Sequence, residues 1–189
     1  ACAMPTNPAA AAHLRNMAND ALPMVGLGFV EAVTLCRAAG GRLPTETEWE
    51  RAASGPDGRP FPWGTEVDCD HANWGGCIGR LMPVGSYPLG RIPEGVNDLV
   101  GNAWEMTSDR LEAGLPHADY TAFDPEPSCD PAHPARDSFD RFVAIRGSSF
   151  MSGDSSEVEL RRLAAPRRGR PTFDNPSLDV GLRCARDGV

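Results

Sequence analysis

The sequence predicts one α+β domain in which two helices pack on short, mostly antiparallel strands and much of the chain runs as irregular loop. Three observations lead there. Phe29, Ala32, Val33 and Cys36 recur at i, i+3, i+4 and i+7, the stripe of a helix with one buried face. The 20 glycines and 18 prolines among 189 residues break the chain repeatedly into turns. Phe142–Arg146 and Val180–Ala185 are short apolar runs of strand type. The length suits a single core, and no internal repeat or linker divides it. Residues 1–24 read as an N-terminal extension, or the remnant of a longer N-terminal part, ahead of a domain at 25–189.

The first 24 residues are Ala-rich, with a weak helical signal over Ala9–Ala21. Val25–Ala39 is a stronger helix, stopped by Gly40 and Gly41. A second helix opens after Pro44. Thr45 is its N-cap, and Glu48 three residues on completes a capping box. Glu46, Glu48 and Glu50 put negative charge in its first turns, where the helix dipole favours it, while Trp49, Ala52 and Ala53 face the core. Val84–Tyr87 reads as a short strand. The stretch Gly95–Asp109 follows neither a 3.6 nor a 2.0 period, so it reads as a tight loop leading into a strand. Gly101 permits a turn there that a Cβ would oppose. Asp98 and Glu105 set hard oxygens on either side of it, and the carbonyls of Gly101 and Ala103 complete an all-oxygen set of the kind Ca²⁺ accepts. On local sequence alone, a capped and hydrated loop accounts for the same residues.

Residues 111–141 are rich in Pro, Asp and His, without regular pattern. His117 and His133 lack the spacing of a metal pair. Arg161–Arg170 holds five arginines, read as ion-paired with the acidic excess rather than as an anion site. All 18 basic residues are arginine, which reads as GC-rich coding. The net charge of −8 argues against nucleic acid as a partner. No run approaches the ~20 apolar residues of a membrane span. Six cysteines, an even number, point to an extracytoplasmic, oxidising location. Cys69 and Cys77 flank a Gly-rich turn and suit a local bridge. Cys2 and Cys129 are left to pair with each other or elsewhere; free or buried thiols are the alternative.

An ordered series of motifs goes further. Gly41-Arg-Leu-Pro-Thr-Glu-Thr-Glu-Trp-Glu-Arg-Ala-Ala53 is followed by Phe61-Pro-Trp-Gly64, Ala72-Asn-Trp74, Pro83-Val-Gly-Ser86, the Gly95–Asp109 stretch, Ile145-Arg-Gly-Ser-Ser-Phe150 and Val180-Gly-Leu-Arg-Cys-Ala-Arg186. In this order they resemble the formylglycine-generating enzyme (sulfatase-modifying factor) family from about Gly26 to Arg186. The resemblance implies a C-type-lectin-like fold and a disulfide between Cys36 and Cys184. It also implies structural Ca²⁺ at Asp98, Gly101, Ala103 and Glu105. Asn73 and Trp74 match half of a second calcium site whose other half is not recognisable. Strands that typically precede this region are missing from the sequence, which implies that a longer N-terminal part or a protein partner completes the fold.

The family's activity oxidises a substrate cysteine to formylglycine with O₂ and copper(I), a soft ion that wants thiolates. Ser152 and Glu157 stand where the resemblance places the copper-binding cysteines, and no cysteine lies between Phe142 and Leu182. Ser149, Ser152, Asp154, Ser155 and Glu157 would line a degenerate cleft holding no copper. Ala53 and Leu163 replace a second family cysteine pair. The His-x₃-His-x-Glu iron site of sulfoxide-forming relatives is also absent. The expectation is a non-catalytic binding or structural module stabilised by Ca²⁺ and disulfides. The alternative is an oxidoreductase of the same family with an altered site.

Overall fold

A computed structural model describes residues 21–66, 68–111, 142–153 and 177–188. Among the described residues two α-helices, α1 (Phe29–Ala38) and α2 (Glu46–Ser54), precede three strands, β1 (Trp104–Leu111), β2 (Phe142–Arg146) and β3 (Val180–Leu182). The sheet order is β2-β1-β3. β1 runs antiparallel to β2, with Glu105 opposite Arg146, and parallel to β3, with Glu105 opposite Gly181. Among the described residues the β1–β3 ladder is parallel, while the longer β1–β2 ladder and the isolated bridges Val25–Gly181, Arg42–Ala185 and Phe61–Gly64 are antiparallel. The parallel pair arises because the chain reaches β3 by a long connection rather than a hairpin.

α1 starts later than its periodicity suggests. Gly26 has φ +75°, outside helical space, and its N–H goes to the Val180 carbonyl at 3.1 Å, while Val25 bridges to Gly181. The N–H of Gly28 at the helix start donates to the Glu31 carboxylate at 2.8 Å. Phe29, Ala32, Val33 and Cys36 then bury together against Leu43, Met106, Ile145 and Val180, so the helical stripe meets the sheet as its spacing requires.

α2 has the expected capping box. The Glu48 N–H donates to Thr45 Oγ1 at 3.1 Å, and the Thr45 N–H donates to Glu48 Oε2 at 2.8 Å. A further cap comes from a distant residue: the buried Asp109 carboxylate of β1 accepts the Glu46 N–H at 2.6 Å, placing an anion at the positive helix end. The glutamates of the first turns do more than complement the dipole. Glu46, 2% exposed, pairs with Arg146, 1% exposed, at 2.8 Å, and Glu50 joins from the rim at 2.7 Å. A buried pair of this kind adds little net stability, but losing one partner strands a charge at a cost of about 3–5 kcal/mol. Arg146 thus fixes α2 against β2.

Val84–Tyr87 is turn and coil rather than strand. Gly85 has φ +77°, and its N–H is committed to the Asp98 carboxylate instead of a neighbouring strand. Trp63 stacks between Phe61 and His71 (centroids 5.5 and 5.1 Å), packing the edge of a cluster with Ala72, Trp74 and Val100. Two disulfides are formed among the described residues, Cys36–Cys184 and Cys69–Cys77. Among the described residues no helix is long and apolar enough to cross a membrane. The Ala9–Ala21 helical signal up to Asp20, the 112–141 loop, the five arginines of 161–170, Cys2 and Cys129 lie outside the described residues.

Candidate functional site

The Gly95–Glu105 loop is a structural hub. Asp98, Gly101 and Asn102 take φ of 55°, 78° and 64°, three left-handed turns within five residues. At Gly101 glycine is required twice over, because a Cβ there would lie 2.5 Å from the carbonyl oxygen of Asn73. That close approach lets the Asn102 N–H donate to the Asn73 carbonyl at 2.6 Å. Asn102, 2% exposed, then spends its side chain on the Met82 backbone: Oδ1 accepts the N–H at 2.9 Å and Nδ2 donates to the carbonyl at 3.0 Å. Its own carbonyl accepts from Phe150 at 3.0 Å. One asparagine therefore ties the loop to the 73–82 turn and the 147–152 corner. The sequence reading passed over it; its signal was a second amide beside a turn glycine.

Asp98, Ala103 and Glu105 line one open cleft of about 460 Å³, together with Asn102 and Arg183. Gly101 is buried and does not line the cleft; its carbonyl accepts the Ala103 N–H at 2.9 Å. Burial lifts the Asp98 carboxyl above the usual carboxylate range, and the like charge of Glu105 adds to it; the Gly85 N–H and Arg183 pull the other way without cancelling. Glu105 is fully engaged. Its Oε2 accepts from Trp49 Nε1 and Arg183 Nε, both at 2.6 Å, and its Oε1 accepts from Arg183 Nη2 at 2.5 Å. Trp49 and Arg183 had been assigned to core and closing strand; their joint hold on Glu105 is a tertiary fact. Parallel pairing of β3 beside β1 brings Arg183 within reach.

Among the described residues, no three His, Cys, Asp or Glu side chains converge as a metal cluster. A cation in the cleft would draw on the two carboxylates and on backbone oxygen. That donor set is hard and all-oxygen, and it would relieve the charge of the desolvated Asp98, so it fits Ca²⁺. At the second candidate position, Asn73 is fully buried. Its Nδ2 donates to the Arg80 carbonyl at 2.8 Å, while Oδ1 has no hydrogen-bond partner among the described residues. The Trp74 carbonyl accepts from the Cys77 N–H at 2.9 Å.

At the 147–153 corner, Gly147 and Ser148 turn the chain with φ of 94° and 63°. Ser149 is fully buried, and its hydroxyl donates to Asp179 at 2.7 Å. The Ser152 hydroxyl lies 3.2 Å from that of Ser149 and accepts the Ser149 N–H at 3.0 Å. Both hydroxyls hold the turn together. Asp154, Ser155 and Glu157 lie outside the described residues. Every described cysteine is in a disulfide, so this part of the chain offers no thiolate to a soft metal.

Among the described residues, a loop-rich α+β domain with two helices, a three-stranded sheet and two disulfides is the class these features define. The chain belongs to the sulfatase-modifying factor family: the model of the "sulfatase-modifying factor enzyme 1-like domain" matches residues 3–188. It is 38% identical over 104 residues to a hercynine oxygenase of Mycobacterium tuberculosis, covering 52% of this chain and 24% of that protein. It is 30% identical over 181 residues to the formylglycine-generating enzyme of the same organism, covering 88% of this chain and 58% of that one. PvdO from Pseudomonas aeruginosa shares the fold, with a TM-score of 0.59 at 23% identity over 86% of this chain and 61% of that chain. The chain thus spans from a quarter to under two thirds of the length of these relatives.

Proposed function

We propose that this chain is a non-catalytic binding or structural module of the sulfatase-modifying factor family, with the C-type-lectin-like form of the fold. The observation that carries this reading is the use of Ser149 and Ser152. Where the family resemblance expects copper-binding chemistry, Ser149 is committed to Asp179, and the Ser152 hydroxyl caps the Ser149 N–H. Hydroxyl oxygens do not hold copper(I) as a thiolate pair would, and Ser149, fully buried, presents no accessible nucleophile.

Calcium is the module's structural ion in this reading. Asp98 and Glu105 hold it with the Ala103 carbonyl, and Gly101 shapes the turn behind them. The ion supplies the positive charge that the buried Asp98 lacks. The orphaned Oδ1 of Asn73, with Trp74, supports a second, weaker position. Two disulfides suit an extracytoplasmic location. The partner in this reading is another protein, or a further part of the same protein.

Anaerobic titration of copper(I) against a competing chelator tests the module reading, followed by incubation of the loaded protein with a cysteine-containing peptide under O₂. The expected outcome is no tight 1:1 copper(I) binding and no loss of peptide thiol to aldehyde. Aldehyde formation would establish the second reading, an oxidoreductase with an altered site. That reading is favoured by the enzymes among the relatives.

A further inference from the structure

The cleft at the Asp98–Glu105 loop already contains a cation. Arg183 leaves the end of β3 and lays its guanidinium along Glu105, with Nε on Oε2 at 2.6 Å and Nη2 on Oε1 at 2.5 Å. The same Nη2 donates to the Asn97 carbonyl at 3.0 Å, next to Asp98. One side chain therefore bridges both ends of the loop. The pair is well shielded, with Glu105 10% and Arg183 26% exposed, so the charges act on each other with little screening by water. Asp98, Glu105 and Arg183 leave the cleft one unit negative, where the two carboxylates alone would leave it two.

We propose that Arg183 is the loop's built-in counter-cation: it holds the loop closed in the metal-free protein and lowers its affinity for Ca²⁺. This rests on the calcium reading above. Calcium affinity follows the charge count and rigidity of the ligand set, so a fixed guanidinium on one of two carboxylate ligands makes the site weaker and less dependent on metal for its shape. The competing role is that of an outer partner which merely orients Glu105 toward the metal. Such partners strengthen binding, so the two roles predict opposite signs for loss of Arg183.

The experiment compares wild type with Arg183→Gln and Arg183→Lys. Calcium is titrated calorimetrically, and thermal unfolding is followed in EGTA and in millimolar calcium. Arg183→Gln is expected to bind calcium roughly tenfold more tightly than wild type, to melt lower in EGTA and to regain more of its Tm with calcium. Arg183→Lys keeps the charge and stays near the wild-type affinity. A glutamine variant that folds only with calcium also supports the proposal, as does one that binds calcium where wild type does not. Binding equal to or weaker than wild type overturns it while leaving the calcium reading intact. A glutamine variant unfolded in both buffers overturns it too, since calcium then cannot take the arginine's place. Silence from wild type and both variants removes the calcium reading and the proposal together.

Discussion

Gly101→Ala is the sharpest perturbation of the loop. The backbone there has φ +78°, which costs an L-residue about 1–2 kcal/mol. The added Cβ would also sit 2.5 Å from the Asn73 carbonyl oxygen, 2.8 Å from its carbon and 3.0 Å from its nitrogen. All three are backbone atoms that no rotamer change can move. Reaching an ordinary 3.4 Å contact requires the two segments to part by about 0.9 Å. That stretches the 2.6 Å hydrogen bond from the Asn102 N–H to the Asn73 carbonyl past its limit and leaves a buried acceptor unsatisfied, at about 1–3 kcal/mol. The sum is about 3 kcal/mol, a fall in Tm of roughly 6–12 °C for a chain of this size. Gly58→Ala is the control. Gly58 has φ +68° and nothing within 4 Å of an added Cβ, so it carries the backbone cost alone, roughly 2–8 °C. The assay is calorimetric melting of both variants beside wild type. If Gly101→Ala melts no lower than Gly58→Ala, the close approach of the two loops contributes nothing, and the hub role of Asn102 falls with it.

The two disulfides differ in what they constrain. Chain entropy assigns about 5 kcal/mol to Cys36–Cys184, which closes 148 residues, and about 2.5 kcal/mol to Cys69–Cys77, which closes 8. Replacing the first pair by serine is therefore expected to lower denaturant stability about twice as far as replacing the second, and equal losses in urea unfolding would contradict this ordering. Glu48 makes a pH prediction. The hydrogen bond from Arg42 holds its carboxyl at about 2 in the fold, against an ordinary value of 4.5. A depressed carboxyl stabilises above its unfolded pKa, and that contribution disappears as pH falls from about 4.5 through about 2. With the side chain 45% exposed, water screening limits its share to about 1 kcal/mol or less. The Tm gap between wild type and Glu48→Gln should be present at about pH 7 and close by about pH 2; a constant gap would place the effect elsewhere, in the helix cap alone.

The sequence by itself determined what short spacing can carry. The Phe29–Cys36 stripe, the Thr45–Glu48 box, the turn at Gly101 and the bridge between Cys69 and Cys77 all lie within a few residues of their partners. Each reflects a local period, a cap or a steric rule. The ordered motifs fixed the family and the longer Cys36–Cys184 link. The tertiary structure decided what depends on residues far apart in the chain. Glu46 looked like a dipole charge until Arg146, 100 residues on, was buried beside it. Glu105 read as a calcium ligand or a loop-capping carboxylate until Trp49 and Arg183 closed on it from 56 and 78 residues away. The parallel register of β3, which brings Arg183 there, leaves no local mark, because strand direction is set by how the chain returns to the sheet and not by the residues of the strand.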